Sequence, residues 1–402
     1  MGKCIVHFLP AKAGDCILIE LDYPSCILID SGFRDTYEQH LKPLLLQLSS
    51  KGYHISLLIV THIDRDHIEG AISFLAENGP ASNPKIIPVD NIWINGFFNT
   101  LFRRPEFNSR RSSLLTAKQH TNQKTIFRDL CMRIRDDGLI SARQSKAFEE
   151  LCARGGYRVN QPFVDGVVKC TATNRQDALT AGIVIGGCKI TVLGPREEQL
   201  AQLAKKLNRE MIVWFGADYK IQENGEFAKF FEEVMKFYEE PFYPEQISAT
   251  GTNLKNWLNT STFSPMNDVN RASIVVEIEY QDRNMLFMAD GESEDWEDLL
   301  APTYQLIKLS HHGTSKPNLA LFNKSQGECM LISTNGRTNG QHPEDDLLAR
   351  SILCGTRDLY FNYDISRKQH LIEMQNHNRN LLRYYPLLSA SNRCYFNGFQ
   401  SG

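Results

Sequence analysis

The sequence predicts an α+β fold in which two β-sheets pack face to face under outer helices, an αββα sandwich. Three observations carry this. Two strand-rich regions, residues 1–96 and 266–402, hold short runs of Val, Ile and Leu bounded by Gly and Pro. A further pair of strand patterns lies between them, at residues 166–195. The remaining stretches, 97–165 and 196–265, are helical or irregular in pattern and read as two insertions into the sandwich.

Taken in order, residues 3–9 form an apolar strand, and Ala13-Gly14-Asp15 turns the chain into a second strand at 16–21. Tyr23-Pro24-Ser25 turns it again into 26–30. Runs so uniformly apolar suit strands covered on both faces. Residues 35–50 carry helical spacing, 55–60 form another buried strand, and a helix over 67–78 follows directly. The N-terminus of that helix adds a partial positive charge that favours an anion bound nearby. In the first insertion a helix is expected at 141–154, before Gly155-Gly156. Strands at 181–187 and 189–195 share a glycine hairpin at Gly186-Gly187. Residues 196–240 are charged and helical in pattern, and 241–268 carry turn chemistry with Pro241, Pro244, Gly251 and Pro265. The second half returns to strands at 273–280, 285–289, 306–309 and 330–334, with a short helix at 294–300.

A chain of 402 residues fits one elaborated domain or two. With 42% apolar and 23% charged residues it can bury a substantial core. A net charge of -3 gives no global attraction to nucleic acid, so any such binding must come from a local patch. No apolar run reaches the roughly 18 residues that span a bilayer. Met1 to Val6 reads as a strand start rather than a signal peptide. The ten cysteines are scattered, with no C-x-x-C pair, which suits reduced, buried thiols. A cytoplasmic location without a membrane partner is the expectation.

The stretch carrying the most chemistry is Thr61-His62-Ile63-Asp64-Arg65-Asp66-His67-Ile68-Glu69-Gly70. A buried strand delivers His62, Asp64, Asp66 and His67 into one short turn. Imidazoles and carboxylates bind divalent cations, and two of each can hold more than one. Asp290, in Ala289-Asp290-Gly291, would read as an ordinary turn residue in isolation. The pair in Ser310-His311-His312-Gly313 could cap a helix, and His342 alone is uninformative. All of these groups stand just beyond strand ends, and that shared placement makes a single centre the expected arrangement.

This order resembles the metallo-β-lactamase superfamily, with Asp30-Ser31-Gly32, the His62–His67 turn, a later Asp and late histidines. More closely it resembles the ComEC-like hydrolase domain of competence proteins. That likeness rests on Ala13-Gly14-Asp15-Cys16-Ile17-Leu18-Ile19, Asn270-Arg271-Ala272-Ser273, Lys308-Leu309-Ser310-His311-His312-Gly313-Thr314 and Gly340-Gln341-His342-Pro343. The matching segments span residues 3 to about 355, excluding the two insertions. Competence proteins of this type also carry a membrane pore, so their uptake role is not expected here. The resemblance implies an αββα hydrolase with two divalent ions, zinc or manganese. It places His62 and Asp64 at the first ion, Asp66 and His67 at the second, and Asp290 between them. His342 is the candidate last ligand of the second ion, while His311 or His312 does proton work; these two assignments can be exchanged. Many relatives supply a further histidine from the loop corresponding to residues 267–273, where this chain offers only Asn270 as a weak ligand. Asp64 also stands where a histidine is more usual. The first site is therefore oxygen-rich and favours a harder ion such as manganese.

A metal-activated water, oriented by Asp66 or Asp290, makes hydrolysis the expected reaction. The favoured substrate is a phosphodiester in DNA or RNA. Residues 97–128 carry Arg103, Arg104, Arg110, Arg111, Lys118, Lys124 and Arg128 against the single acid Glu106. Phe97, Phe98, Phe102 and Phe107 are interleaved, so cations could hold phosphates while rings stack on bases. The same segment could pack its phenylalanines inward, or dock an acidic protein partner. The alternatives are a hydrolase of a small ester, lactone or thioester, and a catalytically weak regulatory component of an assembly. A β-lactam substrate is not expected.

Overall fold

The computed structural model describes residues 4–101, 104, 111–112, 138–215, 221–222, 257–258, 266–334, 342–363, 365, 368–376, 383–385 and 393–395. Its first half folds as β1 (Ile5–Phe8), β2 (Ile17–Glu20), β3 (Ser25–Ile29), β4 (His54–Val60) and β5 (Ile92–Ile94). The intermediate hairpin is β6 (Ile183–Ile185) and β7 (Cys188–Gly194). The second half supplies β8 (Val275–Tyr280), β9 (Arg283–Phe287), β10 (Thr303–Lys308), β11 (Gln326–Ile332), β12 (Asp358–Phe361), β13 (Arg383–Tyr385) and β14 (Arg393–Tyr395).

These strands make two sheets, and each half of the chain builds one of them almost alone. The first runs β14-β1-β2-β3-β4-β5 and the second β13-β12-β11-β10-β9-β8-β7-β6. The last strand crosses back to close the first sheet by pairing antiparallel with β1. A two-residue bridge between Arg111–Ser112 and Ile221–Gln222 joins the two stretches read as insertions.

The alternation of side chains explains the layers. Ile17, Ile19, Ile27, Ile29, Leu57 and Ile59 point between the sheets, where they meet Ile190, Val276, Ile278, Met285, Phe287 and Leu331. The intervening Leu18, Leu28, Leu58 and Val60 point outward onto helices through Leu41, Leu45, Ile68, Phe74 and Phe148. Leu286, Ile307, Met330 and Ile332 do the same on the far side, against Leu321, Leu347, Ile352 and Leu371. Both faces of the central strands are thus buried, which is why they read as unbroken apolar runs. The protein is the αββα sandwich that the sequence predicts.

The covering helices are α1 (Lys42–Ser50), α2 (Arg65–Asn78), α3 (Phe97–Leu101), α4 (Gly138–Gly155), α5 (Arg175–Thr180), α6 (Glu197–Phe215), α7 (Asp268–Arg271), α8 (Leu319–Lys324), α9 (Asp345–Leu353) and α10 (Lys368–Asn376). A short helical segment and a π turn, Tyr37–Leu41, lead into α1. Among the described residues no helix is long and apolar enough to cross a membrane. Eight described cysteines are free thiols, seven of them buried.

Two features of this frame position the site. β3 pairs parallel with β4, and β9 runs parallel with β10 and then β11. Parallel pairing brings the C-terminal ends of these strands to one rim, where such sheets place their ligands. Close backbone approach also requires two glycines. A Cβ at Gly14 would lie 1.8 Å from the Asp66 carbonyl oxygen, and one at Gly70 would lie 2.1 Å from that of Ser31. The loops after β1 and β3 therefore lie directly on the turn that opens α2.

Candidate metal centre

β4 ends at Val60, and the next residues turn sharply into α2. Asp64 sits at the N-cap in extended conformation, and its carbonyl accepts from the amides of His67 and Ile68. The helix begins at Arg65, two residues earlier than the apolar spacing suggests, so Asp66 and His67 lie on its first turn. Asp290 follows β9 through Ala289, and His311 and His312 follow β10 through Leu309 and Ser310. Asp30, Ala289, His311 and His312 all adopt left-handed backbone conformations, with φ between 48° and 56°. Such angles are costly for non-glycine residues, and their concentration at one rim marks a site held by its surroundings.

The rim brings the two halves together. Asp290 Oδ2 lies 3.8 Å from His62 Nε2, 3.7 Å from His67 Nε2, 4.0 Å from His311 Nε2 and 3.3 Å from His312 Nε2. Asp66 Oδ2 is 3.4 Å from His312 Nε2 and 3.9 Å from His67 Nε2. Asp64 Oδ2 is 3.8 Å from His62 Nε2. His62, His67 and Asp290 form one group with converging donor atoms; Asp66, His67 and His312 form another, and Asp290, His311 and His312 a third.

The hydrogen-bond network fixes which ring nitrogen faces inward. His67 Nδ1 lies 2.8 Å from the Asp30 carboxylate, which only accepts. His312 Nδ1 lies 3.2 Å from the Ser333 carbonyl, which also only accepts. The Thr61 hydroxyl spends its one proton on Asp30 at 2.7 Å, so at 3.1 Å it accepts from His62 Nδ1. The Thr314 hydroxyl donates to the His311 carbonyl and accepts from His311 Nδ1 at 3.1 Å. All four imidazoles thus commit Nδ1–H outward and turn Nε2 to the centre, the arrangement that metal-binding histidines adopt.

These residues fit a bound cation. His62 Nε2, His67 Nε2 and Asp290 Oδ1 are buried without a hydrogen-bond partner. Left unsatisfied, groups of this kind are destabilising; a divalent ion satisfies several at once. The charge distribution agrees. Burial works against charge on Asp66, yet neighbouring His67 and His312 outweigh it and hold the carboxyl at about 2. Asp290, more deeply buried, is held well below the usual range by His312 and His67. Burial opposes protonation of His312, but Asp290 and Asp66 raise it to about 10. His67 also rises well above its ordinary value, because Asp30, Asp66 and Asp290 outweigh burial. His62 and His311 go the other way, kept neutral chiefly by burial. Without a cation, protons on His67 and His312 balance the carboxylates.

Other predicted residues fall elsewhere. The His342 ring centre lies 6.3 Å from that of His311, and His342 is not in these donor groups among the described residues. His312 is buried beside both Asp66 and Asp290, and the more exposed His311 stands at the mouth. Asn270 is buried on α7 with Oδ1 lacking a hydrogen-bond partner. Its neighbours Val269 and Ala272 pack with Ile63, which places α7 beside the His62 turn.

The expectation that phenylalanines of the first insertion stack on bases is corrected at two positions. Phe97 and Phe98 are buried in a cluster with Ile63, Leu203 and Leu207, because α3 and α6 cover the turn with their apolar faces. Phe102 and Phe107 lie outside the described residues. Arg104 pairs with Glu197 at 2.7 Å within the protein. Arg103, Arg110 and the Arg111 side chain, like Lys118, Lys124 and Arg128, lie outside the described residues.

Four residues that had no role assigned from the sequence, Asp30, Thr61, Thr314 and Ser333, orient the imidazoles. Asp30 had a visible signal, an acid at the end of an apolar strand followed by glycine at 32. The Ser333 contact is made by a backbone carbonyl, which residue type does not encode.

The sandwich and this donor set define a class, in which a candidate cation-binding cluster lies at the rim between two sheets. Residues 9–107 match the Metallo-beta-lactamase superfamily, whose members are generally metal-dependent hydrolases. The match covers the His62–His67 turn and ends before Asp290, His311 and His312. No curated protein matches the chain. Among solved structures, it is similar to the crystal structure of a protein of unknown function from Enterococcus faecalis V583. That similarity has 11% identity over 96% of this chain and 70% of the other, with a TM-score of 0.26.

Proposed function

We propose that this protein is a metal-dependent phosphodiesterase acting on DNA or RNA. The observation that carries the reading is the convergence of four Nε2 atoms and the Asp66 and Asp290 carboxylates on one rim. We assign His62, Asp64, Asp66, His67, Asp290 and His312 to hold two divalent ions, with Asn270 as a weak further ligand. Ions bound there supply Lewis acidity toward a water and toward the substrate's phosphoryl oxygens. The ions are zinc or manganese, and the first site, where Asp64 stands beside His62, favours the harder manganese.

The protein's own groups do the rest. Asp290 and Asp66 remain ionised, and accept a hydrogen bond that orients the attacking water. His311 is neutral, with Nε2 free of the Thr314 bond, so it can take the proton that water loses as its oxygen bonds to phosphorus. The same Nε2 then returns that proton to the departing oxygen as the phosphorus–oxygen bond breaks. The resemblance to ComEC-like domains and the basic run at 103–128 support a nucleic-acid substrate.

A second reading, hydrolysis of a small ester or thioester, is favoured by one observation. Phe97 and Phe98 are packed under α6 rather than offered to bases, so α3 and α6 form a cover over the His62 turn.

The test is turnover of labelled single- and double-stranded DNA, RNA, a chromogenic bis-phosphodiester and a thioester, each with manganese, zinc or magnesium. Phosphodiester cleavage that Asp66→Ala abolishes, and that charge reversal at Arg103, Arg104, Arg110 and Arg111 weakens, is expected. Cleavage of the thioester alone would transfer the assignment to the second reading.

A further inference from the structure

The molecule holds a second group of buried charges just beneath the centre. Lys308, at the end of β10, is 1% exposed, and its Nζ pairs directly with Asp15 from the loop between β1 and β2. Asp15 is equally buried. A lysine between apolar neighbours in a strand reads as structural or solvated; here it spans the gap between the sheets.

Its contacts reach both halves of the centre. Lys308 Nζ also donates to the Ala289 carbonyl at 3.1 Å, which the His311 amide shares at 3.1 Å. Ala289 is the left-handed residue immediately before Asp290. On the other side, Gly14 rests against the Asp66 backbone. The carboxylates of Asp15 and Asp30 converge with His67. Ser333 adds another tie, donating through Oγ to the Gly14 carbonyl while its own carbonyl orients His312. One loop therefore touches the supports of Asp66, His67, Asp290 and His312.

Burying an ion pair is weak evidence for stability, since apolar replacements of similar volume are often neutral or stabilising. Position is the better explanation. We infer that Lys308 and Asp15 are positioning residues, a strut that sets the Asp290 carboxylate against the Asp66–His67 turn across the two sheets. This rests on the metal-centre reading above.

The test is a calorimetric titration with manganese chloride of the full chain, in wild type and in the double variant Asp15→Leu/Lys308→Met. That variant carries no lone buried charge, so it is expected to keep the wild-type circular dichroism spectrum and to melt near the wild-type temperature. Its manganese affinity is expected to fall by at least about tenfold, as loss of supporting residues around metal ligands does. Asp15→Asn keeps the shape and an acceptor for Lys308, and provides the second reading should the double variant not fold. A weaker affinity is expected there as well. A purely structural role would move the melting temperature and leave the affinity alone, so wild-type affinity in either folded variant overturns the strut. Wild type that takes up neither manganese nor zinc overturns the centre itself, a separate failure.

Discussion

His67 Nδ1 lies 2.8 Å from Asp30 Oδ2, and neither side chain reaches solvent. Asp30 also accepts from the Thr61 amide at 2.8 Å and the Thr61 hydroxyl at 2.7 Å. One carboxylate thereby orients His67 directly and His62 through Thr61. Asp30→Asn preserves shape while removing the charge and one acceptor. Metal affinity is expected to drop by about 10–100-fold, the usual cost of losing a carboxylate behind a ligand histidine. Calorimetric titration with manganese measures it; an unchanged affinity would show that His67 is not a ligand.

The charge balance of the ion-free cluster gives a pH prediction. His312 is raised from 6.5 to about 10, so its contribution to stability is fully present below about 6.5 and is lost as pH climbs to about 10. Asp66 is lowered from 3.8 to about 2, so its contribution is present above 3.8 and is lost as pH falls toward 2. Chelator-treated protein should therefore lose melting temperature between pH 6.5 and 10. A bound cation displaces protons from His67 and His312, so metal affinity should increase over the same window and binding should release protons. Thermal melts with chelator or manganese, and titrations in buffers of different ionisation enthalpy, test both signs. A flat chelator curve would remove the basis for the prediction.

How much of this was legible in sequence depended on what each element buries. β3 and β4 stood out because both faces are covered, and their apolar runs are unbroken. β11 begins at Gln326, before the run that announces it, because Gln326 and Glu328 point to solvent. The donors at strand ends were legible as residue types. Which late histidine comes to lie beside Asp66 and Asp290 was not, since that depends on the turn after β10 and on the Ser333 carbonyl. The Lys308–Asp15 pair was hidden for a related reason: partners on opposite sheets, far apart in sequence, leave no spacing to read.

Gly70 offers a test of the frame that does not depend on the centre's chemistry. An added Cβ would lie 2.1 Å from the Ser31 carbonyl oxygen and 2.8 Å from its carbon, both backbone atoms that cannot swing aside. Gly70→Ala should force α2 away from the β3 loop and destabilise the fold by about 1–3 kcal/mol, the typical cost of overpacking. Denaturant unfolding gives the number. A neutral result would mean that α2 and the 30–32 loop are further apart than described.

The last prediction separates proton transfer from ion binding. His311 is the most exposed of the four imidazoles, with a side chain 29% accessible, and its Nδ1–H is held by the Thr314 hydroxyl at 3.1 Å. Thr314→Val removes that acceptor at nearly constant volume. The ring is then free to rotate or to change tautomer, so Nε2 no longer faces Asp290 reliably. If His311 carries the proton, kcat toward a phosphodiester should fall by about 10–100-fold, within the range general acid–base catalysis supplies. KM and metal content should hold, because His62, His67 and His312 keep their own partners at Thr61, Asp30 and Ser333. Steady-state kinetics with a chromogenic bis-phosphodiester, alongside elemental analysis, distinguishes the two roles. Loss of an ion together with activity would make His311 a ligand, and the proton would then need a different carrier.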